Sequence, residues 1–130
     1  MRYGLLVEGA PYSSQASHSA LRFASALVAR GHRVESVFFY HDGVYNASRL
    51  AAPPQDEPHL YDAWRSLSAE HGTQLQVCIA AALRRGLLDS READRHGKAG
   101  HSVEPPFELT GLGQLIDLGR EVDRLVTFAP

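Results

Sequence analysis

The sequence predicts a flavodoxin-like α/β domain of three layers, in which helices cover both faces of a mostly parallel sheet of about five strands. Two observations support this prediction. Short apolar runs rich in β-branched and aromatic residues alternate along the chain with longer segments whose apolar residues recur at helical spacing. Loop residues separate the two kinds of segment, and regular alternation of strand and helix is typical of a parallel sheet.

The first half of the chain is predicted to contain two strands and two helices. The strands are the apolar runs 3–7 and 34–40, and a helix covers residues 15–29 between them. A polar stretch with two adjacent prolines then extends to Asp56, so we expect a long loop at the end of the second strand. Another helix is predicted from about residues 56–58 to Gly72.

The second half is predicted to continue the alternation. Leu75, Val77 and Ile79 indicate a third strand, with Cys78 at its end. Ser90 is a suitable N-cap for a short helix, because Ser is favoured there and Glu92 would lie in the first turn. The other predicted elements are helices at 80–85 and 112–122 and strands at 107–109 and 125–128.

Length and charge narrow the classes of protein. With 130 residues the chain suits one domain, which we expect to span residues 1–130. Thirteen basic and fifteen acidic residues give a net charge of -2, which argues against autonomous nucleic-acid binding. The apolar runs are too short for a membrane span or a signal peptide, so we expect a cytoplasmic protein without membrane contact.

Cys78 is the residue most strongly indicated as a reactive group. It is the only cysteine, so it forms no intrachain disulfide, and the scattered histidines do not have zinc-site spacing. It lies where a buried strand leads into a helical segment, and helix-end amides together with Arg84 and Arg85 would stabilise a thiolate. Without a second cysteine, the chemistry that fits best is reversible capture of a group such as a sulfane sulfur.

Two other interpretations of Cys78 remain open at this stage. Free cysteine is among the most buried residue types, so the thiol is equally expected as a small hydrophobic core residue. A Cys-His hydrolase is the second alternative, because the chain has seven histidines, although no histidine is selected by the sequence.

Three further features near strand ends have functional and structural interpretations. Residues 8–14 follow the first strand, where related folds bind phosphate, but they lack the glycine spacing of phosphate-binding loops. His41 and Asp42 would make a base with its orienting carboxylate, or simply a turn, which we favour. The third feature is a basic cluster that would either receive an acidic partner or be a solvated face: Arg84, Arg85, Arg91 and Arg95.

Four blocks of the sequence resemble the DsrE family of small sulfur-transfer proteins. They are residues 37–46, 53–56, 77–86 and 109–115, and their order matches the family along essentially the whole chain. The block at 77–86 reads Val-Cys-Ile-Ala-Ala-Ala-Leu-Arg-Arg-Gly, and in this family its cysteine accepts sulfur. The resemblance therefore implies a DsrE-like fold and a sulfurtransferase in which Cys78 is the catalytic residue.

The resemblance also implies partners. It implies TusB-like and TusC-like subunits in a heterohexamer, a TusA-like sulfur donor and a TusE-like acceptor, leading to 2-thiolation of the tRNA wobble uridine. Persulfide transfer of this kind requires no metal or organic cofactor, and direct contact with nucleic acid is left to a later enzyme. Dissimilatory sulfur oxidation by a DsrE subunit is an alternative that shares the motifs, and a noncatalytic scaffold subunit with a buried thiol is another.

Overall fold

The computed structural model describes residues 1–130 as a five-stranded parallel sheet with flanking helices. None of these helices combines the length and apolar character that a membrane crossing requires. The strands are β1 (Arg2–Val7), β2 (Arg33–Phe39), β3 (Gln74–Cys78), β4 (Phe107–Thr110) and β5 (Arg124–Phe128). The helices are α1 (Ala16–Ala29), α2 (Leu60–His71), α3 (Ile79–Arg84), α4 (Ser90–Arg95) and α5 (Gly113–Glu121).

The strand order is β4-β3-β2-β1-β5, and every neighbouring pair is parallel. The chain moves steadily from β1 to β4 and then returns across the sheet to place β5 beside β1. Right-handed crossovers in opposite directions put their helices on opposite faces. Accordingly α1 packs against α2, whereas Leu118 of α5 lies over Gly4 on the other face of β1. The predicted three-layer α/β class is confirmed.

The main core lies between the sheet and the pair α1 and α2. Alternate strand residues point toward these helices, as the two-residue period of a strand requires. The ring of Phe39 in β2 meets the ring of Trp64 in α2 edge to face, with centroids 5.3 Å apart. Other buried residues of this layer are Leu5, Val7, Val37, Leu75, Val77, Ala20, Ala24 and Leu67.

Three local expectations require correction. The predicted loop after β2 begins with a 3₁₀ helix, His41–Ala47, which we call the rim helix. Helix α2 begins at Leu60, later than predicted, because the Tyr12 hydroxyl accepts the Leu60 N–H and donates to the Pro58 carbonyl. Helix α4 is capped by Asp89 and not by Ser90, since the Asp89 carboxylate accepts the backbone N–H of Glu92 at 2.8 Å.

Candidate functional site at the carboxyl edge of the sheet

Cys78 is the last residue of β3 and the N-cap of α3, as the sequence predicted for the end of the third strand. By alternation along β3, its side chain shares a face with Gln76, on the side of the sheet that carries α5. The residue is only 2% exposed and belongs to the hydrophobic core cluster. A thiol held this deeply needs movement of a neighbouring segment before a second protein can reach it.

Residues of the two adjacent strands flank the thiol. Thr110 of β4 pairs with Cys78 in the sheet register. On the other side Phe39 pairs with Val77, so the next residue, Tyr40, lies beside Cys78. The edge-to-face contact between Phe38 and Tyr40 places the Tyr40 ring on the same face as the cysteine. Cys78 is therefore bounded within the sheet by an aromatic ring and a hydroxyl-bearing side chain.

The rim helix packs against both β3 and α3, the two elements that meet at Cys78. Its position at the edge depends on a close approach at Gly43, where an added Cβ would lie 2.0 Å from the Val7 carbonyl oxygen. Any side chain at this position would collide with the backbone of β1. Gly43 therefore lets the rim helix sit directly on the end of the sheet.

Asn46 anchors the second half of the rim helix through a buried hydrogen-bond network. Its side-chain amide donates to the Ser17 hydroxyl and to the Gly43 carbonyl, each at 2.9 Å. Its carbonyl oxygen accepts the indole N–H of Trp64 at 3.0 Å, and Ser17 in turn donates to the Gly9 carbonyl. Buried polar groups that are fully paired specify one arrangement, because breaking any bond leaves an unsatisfied group.

One ion pair joins the first half of the rim helix to α3. The Arg85 Nε donates to an Asp42 carboxylate oxygen at 2.8 Å. The same guanidinium donates to the Ala81 carbonyl at 3.0 Å, which fixes it against its own helix. Arg85 therefore already has two acceptors. Arg95 pairs with Glu92 at 3.6 Å, so only part of the basic cluster predicted beside Cys78 is free to bind a partner.

His41 and Asp42 do not form the base and orienting carboxylate considered from the sequence. The carboxylate near the His41 imidazole belongs to Glu8, at 3.7 Å, while Asp42 pairs with Arg85. The His41 ring stacks on Tyr40 with centroids 4.0 Å apart. Its backbone has φ of +50°, a left-handed conformation that is uncommon outside glycine. The residue beside the site is therefore strained and exposed.

The loop at residues 8–14 has a structural role in this fold. Its Gly9 carbonyl accepts a hydrogen bond from Ser17, and its Tyr12 hydroxyl bridges to the start of α2. These contacts tie the loop to α1 and to the residues at the start of α2. Across the molecule, no group of three or more His, Cys, Asp or Glu side chains is placed to hold a metal ion.

A line of exposed apolar side chains runs along the outer side of α5. Leu112 and Ile116 are four residues apart, so they lie on the same helical face. Leu125 of β5 continues the line, because it lies against Gly119 one turn further along. We call these three residues the apolar stripe. It starts near Thr110 at the Cys78 edge and runs toward the opposite edge of the sheet.

Sequence reasoning placed Cys78 correctly in the fold and singled out His41, Asp42 and Arg85, but it did not find how the groups at this edge are paired. Asn46, Asp42 with Arg85, and the stacked pair Tyr40 and His41 come together only through tertiary contacts. The sole signal available in the sequence was that Tyr40, His41 and Asp42 directly follow a strand, where parallel sheets gather functional groups.

Comparison with known protein families gives a match over nearly the whole chain. The profile of the DsrE/DsrF-like family matches residues 1–128. A sulfurtransferase named TusD from Salmonella newport is 48% identical over 128 residues, which cover 98% of this chain and all of the relative. The DsrE protein from Allochromatium vinosum is 45% identical, with 98% of each chain covered.

The fold is also found among solved structures. The crystal structure of the ychN protein from E. coli superposes with a TM-score of 0.74, covering 98% of this chain and 99% of that one. Their sequences are 18% identical, so this likeness concerns the fold alone.

Proposed function

This chain belongs to the DsrE/DsrF-like family, its close relatives are sulfurtransferases, and from this premise we propose that it relays sulfur through a persulfide on Cys78. Sulfur transfer is the activity that the family relationship gives to the chain. The proposal concerns the residue that carries the sulfur, the partners, and the pathway. We assign the activity to a single domain over residues 1–130.

One observation carries the assignment of the residue. Persulfide relay proceeds through a cysteine thiolate, and the chain has a single cysteine. Cys78 lies at the carboxyl end of a central strand, where α/β folds place reactive groups, and it precedes the first turn of α3.

The proposed reaction has two balanced steps. The Cys78 thiolate attacks the terminal sulfur of a donor persulfide, so that a bond forms to Cys78, the donor sulfur–sulfur bond breaks, and the donor leaves as a thiolate. An acceptor thiolate then attacks the terminal sulfur on Cys78 and releases the Cys78 thiolate again. The transferred sulfur keeps its oxidation state, so neither step requires a redox cofactor or a metal.

We propose that a TusA-like protein is the donor and a TusE-like protein the acceptor, in the cytoplasmic route to 2-thiolation of the tRNA wobble uridine. The 48% identity to TusD over the whole relative supports this pathway. The net charge of -2 supports a role confined to protein partners, because phosphate backbones would not be attracted.

We further propose TusB-like and TusC-like subunits as constant partners in a heterohexamer. The apolar stripe supports an assembled state, since exposed leucine and isoleucine side chains that line up on one helical face are typical of contact surfaces. Helix α5 buries only Leu118 among its nine residues, so most of its surface is available to another subunit.

A dissimilatory role is the second candidate, and the 45% identity to DsrE from Allochromatium vinosum favours it. In that role the same Cys78 chemistry would serve sulfur oxidation and the acceptor would differ. A noncatalytic scaffold is the third candidate, favoured by the 2% exposure of Cys78. The three candidates differ in whether Cys78 is loaded and in which protein discharges it.

Mass spectrometry of the chain, purified with its TusB-like and TusC-like partners, tests the proposal. After incubation with a cysteine desulfurase, cysteine and a TusA-like donor, we expect Cys78 to gain one sulfur atom and the Cys78→Ser variant to gain none. A TusE-like acceptor should then remove that sulfur. If Cys78 gains sulfur but the TusE-like acceptor does not remove it, the dissimilatory role is favoured. If Cys78 gains no sulfur, the noncatalytic scaffold is the remaining candidate.

A further inference from the structure

The proposed function requires a partner protein to reach a thiol that is almost completely buried. Cys78 is 2% exposed, yet in persulfide transfer its sulfur must come into bonding contact with a sulfur atom of another protein. At least one segment beside Cys78 must therefore move during each transfer. If Cys78 relays sulfur as proposed, one of the segments that cover it must open, and a specific contact must hold that segment closed between transfers.

The rim helix is the segment whose structure best suits this movement. It follows β2, the strand next to β3, and it packs against both β3 and α3 at their junction. Its two halves are held in different ways. The half that contains Asn46 is buried and fixed by hydrogen bonds to Ser17, Gly43 and Trp64. That half would act as the fixed end of a moving segment.

The first half of the rim helix begins with two exposed residues, His41 and Asp42, whose side-chain contacts water can reach, before the buried Gly43 and Val44. His41 is 56% exposed in its side chain, and its imidazole lies 3.7 Å from the Glu8 carboxylate. Its left-handed backbone, with φ of +50°, stores strain that a change of conformation would release. Asp42 is 58% exposed, and its ion pair with Arg85 connects this half to α3.

Arg85 is the fixed member of that pair and Asp42 the movable one. The Arg85 side chain is 24% exposed and is also bound to the Ala81 carbonyl of α3, whereas the only side-chain partner of Asp42 is Arg85. Exposed ion pairs contribute little free energy, so a docking protein with an acidic group could take over Arg85 at small cost. Breaking the pair would release Asp42 and leave His41 held only by the Glu8 carboxylate and by its stacking on Tyr40.

We propose that the Asp42–Arg85 ion pair controls access to Cys78, holding the first half of the rim helix closed until a sulfur-carrying partner docks. Asp42 and Arg85 are positioning residues under this proposal, because they act through the rim helix and not on the transferred sulfur. Arg85, once released, becomes the contact for a carboxylate of the partner protein.

The rate at which iodoacetamide alkylates Cys78 in the folded, full-length protein measures this access. Asp42→Ala and Arg85→Gln should each raise the rate about twofold to fivefold, the range by which loss of an exposed ion pair shifts an equilibrium. The double variant should be no faster than either single variant, since both remove the same contact. Unchanged urea unfolding midpoints would show that access rose without general loosening of the fold.

Arg84→Gln is the matched control. Arg84 is an exposed neighbour on the same helix end, so its loss removes the same charge near Cys78 while the ion pair remains intact. We expect no increase in alkylation rate for this variant. Added salt provides a test without any substitution, because it should speed alkylation of the wild type and leave Asp42→Ala unaffected.

Two results would overturn the proposal: equal alkylation rates in wild type and Asp42→Ala, or an equal increase in Arg84→Gln. Sulfur loading of the wild type, measured separately, keeps this proposal distinct from the proposed function. If the variants are alkylated faster but the wild type is not loaded with sulfur, the ion pair controls access to Cys78 and the proposed sulfur relay is wrong. Loading without faster alkylation would sustain the relay and show that the thiol is reached from another side, such as that of Thr110.

Discussion

On one face of the sheet, α1 and α2 together bury large apolar side chains from three neighbouring strands, with Trp64 completely inaccessible to solvent. On the other face α5 lies alone and buries Leu118 over a glycine, Gly4. Beside it the strands present polar side chains, and the Ser36 hydroxyl donates to the Gln76 side-chain oxygen at 2.8 Å. The first face is filled by the chain itself, while the second is only partly covered.

This difference separates stability from function. Apolar burial is the main favourable contribution to folding, so the face covered by α1 and α2 must provide most of the folding free energy. The α5 face instead carries the apolar stripe, and the side chains of Tyr40 and Cys78 point to it. We therefore expect substitutions on the first face to change unfolding, and those on the second to change association and sulfur transfer.

The largest effect is expected for Trp64→Ala. This substitution removes a fully buried ring that contacts Phe39 and also the indole N–H that Asn46 accepts. Removal of a buried tryptophan typically costs about 3–5 kcal/mol of unfolding free energy. Urea unfolding followed by circular dichroism would measure it. Trp64→Phe keeps most of the apolar area but loses the N–H and leaves the Asn46 side-chain oxygen without that donor, so it should cost about 1–3 kcal/mol. Equal losses in both variants would contradict the dominance of packing on this face.

Gly4→Ala tests how firmly α5 is seated on its face. An added Cβ would lie 2.8 Å from the Cγ of Leu118, closer than atoms in contact allow. We expect a loss of about 1–3 kcal/mol, the usual range for an overpacked site. In a Leu118→Ala background the loss should fall sharply, because the obstructing atoms are gone, and a double-mutant cycle measures this coupling. If the losses of unfolding free energy for Gly4→Ala and Leu118→Ala simply add in the double variant, the two residues are not coupled, and α5 moves away from β1 without cost.

Tyr61→Phe tests the effect of an unpaired polar group on the face covered by α1 and α2. The Tyr61 ring stacks on Phe107, but its buried hydroxyl has no hydrogen-bond partner, and burial raises the pKa of this hydroxyl above its ordinary value. Removing an unpaired buried hydroxyl should leave stability unchanged or increase it by up to about 1 kcal/mol.

The raised pKa of Tyr61 also predicts a pH dependence with a definite sign. Ionisation is harder in the folded state, so the folded protein retains a proton that the unfolded chain loses above about pH 10. Stability from this source is constant below that pH and falls as the pH rises further. Urea unfolding can be compared at pH 8, below the ordinary tyrosine pKa, and at about pH 10.5, above it. Between these two pH values the free energy of unfolding should fall less for Tyr61→Phe than for wild type. Identical falls would exclude Tyr61 as the cause.

The same comparison explains which parts of the fold were predictable. Strands such as β2 and helices such as α1 must carry apolar residues at fixed periods to fill the buried face, so their sequence pattern is strong. On the α5 face Gly4, Ser36 and Gln76 interrupt the apolar pattern around the buried Phe38, and such small or polar residues weaken the periodic signal. Sequence analysis therefore found each strand but could not say how fully either face would be covered.

The candidate site divides in a similar way. The position of Cys78 followed from local patterns, because the end of a strand and the start of a helix are both visible in sequence. The contacts of Asp42 with Arg85 and of Asn46 with Trp64 span 43 and 18 residues, and nothing local indicates them. The rim helix was expected to be loop because its single turns depend on these distant contacts and not on helix propensity.

The smallest effect on stability, and the sharpest separation of the two faces, is expected for Ile116→Ser. Ile116 is 62% exposed, so the isolated chain should change by no more than about 0.5 kcal/mol in urea unfolding. Association with TusB-like and TusC-like subunits should weaken, because the apolar stripe would lose its central side chain.

Leu50→Ser is a matched control, since Leu50 is 64% exposed but lies in the segment after the rim helix, away from α5. Co-purification and analytical ultracentrifugation compare the two variants. If Leu50→Ser disrupts the assembly and Ile116→Ser does not, the subunit contact lies at the rim near Cys78, and α5 is left exposed for another purpose.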